Sequence, residues 1–207
     1  MTAIIDFVGV AAFAATGALV ASRKEMDIVG FALLGAVTGI GGGTLRDLLL
    51  GLPVFWIAAP AYLVICVVVS AVIFFTAHLP YSRYRLILWL DAAGLALFAV
   101  VGAEKALIAG AGPVIAVAMG VITATFGGVI RDVLGGESPV ILSREIYATA
   151  ALAGALAFVV LAALDLPRDA ALAGALALGF AVRGAAISLG WSLPRYRPRP
   201  GRRPEDV

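Results

Sequence analysis

The 207 residues are 62% apolar and 14% charged, with 24 glycines and a mean hydropathy of +1.06. This composition excludes a soluble globular protein, because a soluble chain of this size needs far more polar surface. The net charge of +2 identifies no partner, and the single cysteine, Cys66, excludes an intramolecular disulfide or a cysteine-based metal cluster.

Apolar segments separated by charges, prolines or glycines predict an all-α polytopic membrane protein with seven transmembrane helices, since one crossing needs about 20 apolar residues. The segments span residues 3–22, 28–50, 54–77, 86–104, 112–134, 146–164 and 169–190. The first residues, Met1 to Asp6, lack a basic stretch and carry an acid at position 6. This pattern predicts a retained first helix rather than a cleaved signal peptide.

The lysines and arginines outside these segments indicate the orientation in the membrane. With the amino terminus outside, only Lys105 and Arg168 face the exterior. Ten basic residues then face the cytoplasm, namely Arg23, Lys24, Arg83, Arg85, Arg144 and the five arginines of residues 191–207. The distribution predicts an N-out, C-in orientation. The Pro/Arg-rich residues 191–207 predict a flexible cytoplasmic tail.

The sequence repeats itself at an offset of 85 residues. Residues 6–18 match 91–103 at seven of thirteen positions, and 35–49 match 120–134 at seven of fifteen. The repeat predicts a single transmembrane domain over 1–190, with repeat 1 at about 1–84, repeat 2 at about 86–168 and a seventh helix at about 169–190. Three crossings per repeat put the second copy in the opposite orientation, and inverted repeats share a site near the bilayer midplane.

Glycine runs occur at equivalent places in the second and fifth segments, and they comprise Gly41, Gly42, Gly43, Gly127 and Gly128. Consecutive glycines weaken a helix, so a kink or break beside a water-filled cavity is one expectation. The alternative is close helix packing, because small residues recur at every fourth position in both segments.

Charged residues follow both glycine runs: Arg46 with Asp47, and Arg131 with Asp132. An arginine within a span costs about 2.5–3.5 kcal/mol, which favours a hydrophilic pathway inside the bundle. Adjacent residues point about 100° apart on a helix, so we expect each arginine to find its partner elsewhere. The candidate partners are Asp6, Asp91 and the aspartate of the other repeat, and a purely structural salt-bridge lattice is the alternative.

Other polar residues of the segments are candidates with a plainer explanation. Thr38, Thr44 and Thr123 could line a pore, but hydroxyls in membrane helices often bond back to a carbonyl. Glu104 and Lys105 could form the outer mouth or simply an interfacial pair. Phosphate loops, zinc motifs and nucleophile elbows are absent from the sequence, which argues against an enzyme.

The glycine run followed by Arg-Asp, present twice, resembles the prokaryotic branch of the trimeric intracellular cation (TRIC) channel family. The resemblance covers residues 6 to about 190, and it implies a multi-pass protein of the plasma membrane of a prokaryote. It implies a homotrimer in which each protomer has its own hydrophilic pore, lined by glycine-kinked helices 2 and 5 and conducting monovalent cations such as K⁺ and Na⁺. It implies no cofactor or metal beyond the permeant ion, and no partners beyond membrane lipids and other copies of the chain, with nucleic acid excluded.

The resemblance is incomplete at one point. Animal members carry a Lys-Glu-Val triplet tied to phosphoinositide binding, where this chain reads Gly127-Gly128-Val129-Ile130-Arg131. Phosphoinositide binding is therefore not expected. The same domain family is also described as a candidate glycine carrier, so a secondary transporter of a small solute is the alternative function.

Overall fold

Helices account for nearly all regular structure in the computed structural model, which describes residues 2–79 and 82–194. This part of the chain is all-helical, as predicted. It contains eight α-helices: α1 Thr2–Arg23, α2 Ile28–Leu49, α3 Phe55–Ala58, α4 Ala61–Thr76, α5 Arg83–Ile108, α6 Pro113–Leu134, α7 Ala148–Ala163 and α8 Arg168–Leu189. A 3₁₀ turn, Val140–Leu142, lies between α6 and α7.

Five of these helices, α1, α2, α5, α6 and α8, are long and apolar enough to cross a membrane. Their ends lie within four residues of the predicted segments. The predicted third segment is divided, because Pro60 separates the short α3 from α4. Helices α4 and α7 are apolar but only 16 residues long, so the number of crossings stays a prediction.

Local sequence explains where several helices begin. The Asp27 carboxylate accepts a hydrogen bond of 2.7 Å from the Gly30 amide at the start of α2. The Ser82 hydroxyl accepts one of 3.2 Å from the Arg85 amide at the start of α5. Pro113 occupies the first turn of α6, where its missing amide hydrogen costs nothing.

The core lies where α1 and α5 cross. The Phe13 and Phe98 rings pack against each other in a tilted arrangement, with centroids 5.3 Å apart and an interplanar angle of 36°. Each ring packs on a glycine of the other helix: a Cβ added at Gly9 would lie 2.7 Å from Phe98, and one added at Gly94 would lie 3.2 Å from Phe13. The two contacts are exchanged by the 85-residue offset.

Two ends of the bundle can be distinguished by their charges. At the end that we call the basic end, the Arg83 side chain donates a 2.8 Å hydrogen bond to the Ser22 hydroxyl, and Arg23 contacts Glu137 at 3.2 Å. At the opposite end, Lys105 lies over the Phe55 ring, with its Nζ 5.3 Å from the centroid.

The carboxyl-terminal part remains attached to the bundle beyond α8. The Leu193 amide donates a 2.7 Å hydrogen bond to the Arg144 carbonyl, and Ser192 forms a β-bridge with Glu145. The predicted tail began at residue 191, so its first residues contact the domain. Its remainder, 195–207, lies outside the described residues.

Candidate functional site

Helices α2 and α6 cross at their glycines. A Cβ added at Gly42 would collide with the carbonyl oxygen of Thr123, and one added at Gly127 would collide with that of Thr38. Both helices run without interruption through the glycine runs, so the sequence-based expectation of a helix break is not met. The glycines allow close approach of two backbones, which is the packing explanation; bending of these helices stays a prediction.

Threonine hydroxyls at the crossing bond back to their own helices. Thr38 donates to the Leu34 carbonyl at 2.6 Å, and Thr123 donates to the Met119 carbonyl at 2.6 Å. Both side chains are buried. Thr44 donates to its own helix in the same way, to the Ile40 carbonyl at 2.7 Å, and its oxygen accepts a bond of 2.9 Å from the Trp56 indole.

The first charged cluster lies at the opposite end of the bundle. Arg46 and Asp47 are both buried, and Asp47 Oδ1 accepts from Arg46 Nε at 2.8 Å and Nη2 at 2.7 Å. The other carboxylate oxygen of Asp47 accepts a hydrogen bond of 2.9 Å from the Phe55 amide. The expectation that each arginine finds its partner elsewhere was wrong for Arg46, because the arginine side chain is long enough to fold back around the helix to its neighbour.

The second charged cluster lies nearer the basic end and is larger. Arg131 Nε donates to Asp132 Oδ1 at 2.9 Å, while its Nη1 donates to Asp91 at 2.6 Å and to the Thr16 hydroxyl at 3.1 Å. The second carboxylate oxygen of Asp132 accepts a hydrogen bond of 3.0 Å from the Val140 amide. Every charge in this cluster is buried, and the arginine is compensated by two carboxylates.

The two clusters are built alike. Each arginine pairs with the following aspartate, which in turn accepts from an amide eight residues further along the chain. Gly51 and Gly136 also have the same role: both have φ near +65°, a conformation that favours glycine, and both end the helix after the cluster.

The clusters differ in their third member. Asp91, the predicted partner from α5, contacts Arg131 directly. Its counterpart at the 85-residue offset, Asp6, is buried but forms no ion pair with Arg46 in the described ranges 2–79 and 82–194. Asp6 instead interacts electrostatically with Lys105 and Arg46 at longer range.

Glu104 and Lys105 have separate partners. Glu104 is buried and accepts a hydrogen bond from the guanidinium of Arg168 at the start of α8. Lys105 faces Phe55. The two residues thus contact different elements at the opposite end, and their role as an outer mouth or as an interfacial pair stays a prediction.

A third buried arginine, Arg183 of α8, joins the site. Its Nη2 lies 2.7 Å from Glu145, and its guanidinium carbon lies 5.2 Å from the centroid of the Tyr147 ring. The Tyr147 hydroxyl is buried and packs against Gly128. Arg183 lies within the predicted seventh segment, residues 169–190, and the sequence indicated no partner for it. An acid preceding the sixth segment was the available signal, although nothing in the sequence linked it to α8.

Cavities of very different size lie beside the two clusters. The cavity at the opposite end has a volume of about 580 Å³ and is lined by Asp47, Phe55, Tyr62, Glu104 and Lys105, among others. The cavity at the basic end has a volume of about 40 Å³ and is lined by Arg23, Asp91, Arg131, Asp132 and Glu137, among others. The second has room for about three water molecules, so it is much narrower than the cavity beside the first cluster. Further cavities of about 550 and 250 Å³ lie elsewhere at the basic end.

Comparison with known proteins places these features in a family. The sequence profile described as Glycine transporter matches the chain twice, over residues 3–78 and 88–163, and the two matches begin 85 residues apart. The UPF0126 inner membrane protein YadS of Escherichia coli K12 is 42% identical over 157 residues, which cover 73% of this chain and 74% of that protein. A UPF0126 membrane protein of Vibrio cholerae is 41% identical over 198 residues, covering 93% of this chain and 82% of the relative.

Solved structures are also similar to this chain. The TRIC trimeric intracellular cation channel orthologue from Rhodobacter sphaeroides is 63% identical with a TM-score of 0.90, covering 92% of this chain and 98% of that one. A prokaryotic TRIC channel crystallised in KCl is 32% identical with a TM-score of 0.86, covering 93% and 98%.

Proposed function

This chain belongs to the prokaryotic branch of the TRIC channel family, and we propose that it is a homotrimeric channel for monovalent cations such as K⁺ and Na⁺. It is a multi-pass protein of the bacterial plasma membrane, and it is not an enzyme. Similar solved structures are described as cation channels, and one of them as a trimeric channel orthologue.

One observation supports the proposal above all others. Buried Arg-Asp pairs lie on both sides of the α2–α6 crossing, one toward each end of the bundle, and each pair has a cavity beside it. Buried charges in a membrane protein face a water-filled path more often than lipid, because the cost of desolvation is then reduced. The proposed pathway therefore runs within one protomer, along α2 and α6.

Compensation of the arginines makes a cation path physically reasonable. Arg46 is paired with one carboxylate, and Arg131 with two. The clusters consequently present little net positive charge to a cation, whereas unpaired arginines would repel it.

The proposed architecture is a pair of inverted repeats. Support comes from reciprocal contacts: the Gly42–Thr123 and Gly127–Thr38 contacts are exchanged by the 85-residue offset, as are the Gly9 and Gly94 contacts in the α1–α5 core. Such exchange is what a two-fold axis between the repeats would produce. We also propose that α2 and α6 bend or slide at their glycines when the pathway opens, since the crossing is tight in this structure.

A small-solute transporter, with glycine as the named candidate, is the second function. Two observations favour it: the family profile carries the description Glycine transporter, and the unequal cavities resemble a carrier that is open to one side only. Alternating access in inverted-repeat carriers produces such asymmetry.

Single-channel recording from purified protein in a planar bilayer under a KCl gradient tests the proposal. We expect discrete current steps that reverse near the potassium potential and do not respond to glycine. A silent bilayer together with saturable glycine uptake into liposomes would replace the channel with the carrier.

A further inference from the structure

Three charged residues join the two repeats across the basic end. Arg23 Nη2 lies 3.2 Å from Glu137 Oε1, and Lys24 Nζ lies 3.6 Å from the same oxygen. Arg23 ends α1 in the first repeat and Lys24 follows it, whereas Glu137 follows α6 in the second. The guanidinium of Arg23 also lies over the Tyr84 ring, 5.6 Å from its centroid.

These residues surround the narrow cavity. Arg23, Tyr84 and Glu137, which are partly exposed, line it together with the buried Asp91 and Arg131. At about 40 Å³ it holds about three waters, fewer than a hydrated cation carries. The ion pairs therefore stand between the aqueous phase and the second charged cluster.

The other repeat lacks this feature. Shifting Arg23 and Lys24 by 85 residues gives Ile108 and Ala109, and shifting Glu137 back by 85 gives Leu52. All three apolar residues line the large cavity of about 580 Å³ at the opposite end. The two ends therefore differ in charge at equivalent positions, and the cavity beside the ion pairs is the narrow one.

We propose that Arg23, Lys24 and Glu137 form a latch that closes the basic end, and that its opening admits cations to Asp91 and Arg131. The gating part of this inference rests on the proposed function. The latch is suited to opening, because the side chains of Arg23 and Glu137 are 35% and 28% exposed, and ion pairs as exposed as these are individually weak.

The latch is also connected to the cluster beneath it. The Glu137 amide donates a 2.8 Å hydrogen bond to the Asp132 carbonyl, five residues earlier in the chain. Asp132 is paired with Arg131. Displacement of Glu137 would therefore move the end of α6 and the mouth of the cavity together.

Cysteine accessibility tests the latch without requiring current. Val20 is buried, lines the narrow cavity and lies one turn before Arg23. Val20→Cys is made in a Cys66→Ala background, in full-length protein reconstituted in liposomes, and the rate of modification by a cationic methanethiosulfonate is measured. Adding Glu137→Gln should raise that rate by about fivefold, the change that loss of an exposed ion pair allows.

Two further variants provide the controls. Arg85→Gln removes a charge from the same end. Within residues 2–79 and 82–194, Arg85 forms no ion pair with Glu137, so this variant should leave the rate unchanged. The exchange Arg23→Glu with Glu137→Arg should return the rate toward that of Val20→Cys alone. Ile87→Cys, also buried beside the cavity, replaces Val20→Cys if that variant does not fold.

The outcomes separate the latch from the channel. An unchanged rate in Glu137→Gln, or an equal rise in Arg85→Gln, would overturn the latch. A raised rate that the charge exchange reverses supports the latch whether or not current is seen. Bilayer recording of the same variants tests its gating role: we expect Glu137→Gln to raise open probability without changing unitary conductance, and an open probability equal to that of the native protein would overturn that role.

Discussion

Buried arginines dominate this molecule at the scale of single residues. Arg46, Arg131 and Arg183 all lie inside the bundle, and each is paired with at least one carboxylate. Pairing permits a charge at that depth, since an isolated buried charge is prohibitively costly. The three arginines nevertheless differ in the number of carboxylates with which they pair: Arg131 pairs with two, and the others with one each.

Replacement of Arg131 by methionine should destabilise the protein more than the same change at Arg46. Arg131→Met leaves the carboxylates of Asp91 and Asp132 without their cation, whereas Arg46→Met leaves only that of Asp47. Removing one side of a buried pair costs about 3–5 kcal/mol, and Arg131 should lie at the upper end. Thermal unfolding in detergent measures the difference.

Asp91→Asn added to Arg131→Met provides the control for this comparison. It removes one of the two unpaired carboxylates, so it should recover part of the lost stability. Equal losses at Arg46 and Arg131, or no recovery in the double variant, would show that Asp91 does not depend on Arg131.

At the scale of elements, the α2–α6 crossing is the contact on which any pathway depends. Gly42 and Gly127 allow the two backbones to touch, and the threonine hydroxyls nearby are satisfied by their own helices. The crossing is therefore tight in this structure, and ion passage requires the helices to separate or bend.

Alanine at Gly42 should be far more harmful than alanine at Gly41. The added Cβ at Gly42 meets the Thr123 backbone carbonyl, which cannot move without moving α6, and overpacking of this kind costs about 1–3 kcal/mol. At Gly41 it meets only the terminal methyl of Ile130 at 3.0 Å, which can rotate away. Unfolding midpoints of the two variants measure this, and a Gly42→Ala protein as stable as Gly41→Ala would show that the two helices are separated in the membrane.

The elements also show which features were accessible from sequence. The 85-residue repeat predicted equivalent positions, and the equivalent contacts of Gly42 and Gly127 agree with it. The hydrophobic segments predicted the five long helices, because length and apolar composition determine a crossing. The division of the third segment was missed, although Pro60 was visible within it.

Side-chain partners were harder to predict for a physical reason. Helical periodicity gives the direction of a Cβ, but an arginine extends about 6–7 Å beyond it and can reach a neighbour on either side. The Arg46–Asp47 pair was missed on that account. The Arg183–Glu145 pair was missed because it joins α8 to a loop 38 residues earlier, and one sequence contains no information on that packing.

At the scale of the whole molecule, two similar repeats form two dissimilar ends. The cavity beside the first cluster is large and is lined by Lys105 and Phe55, while the cavity beside the latch residues is small. An exactly symmetric pair of repeats would give these two cavities the same size. At equivalent positions of the two repeats, Leu52 corresponds to Glu137, and Ile108 corresponds to Arg23. These differences in charge explain why a repeated sequence yields two cavities of unequal size.

The molecule as a whole should discriminate poorly between K⁺ and Na⁺. A selective filter replaces the hydration shell of the ion with a ring of backbone carbonyls, and here the backbone carbonyls of α2 and α6 are used in helical hydrogen bonds through the crossing. The charged clusters offer side chains already engaged in ion pairs. A cation would therefore pass largely hydrated, and the reversal potential with K⁺ on one side and Na⁺ on the other should lie within about 10 mV of zero, less than a twofold permeability ratio.

Replacing K⁺ by the large cation N-methyl-glucamine is the control and should abolish the current. A strong preference for K⁺ over Na⁺ would mean that ions are dehydrated along the path, which the paired clusters of this structure do not explain.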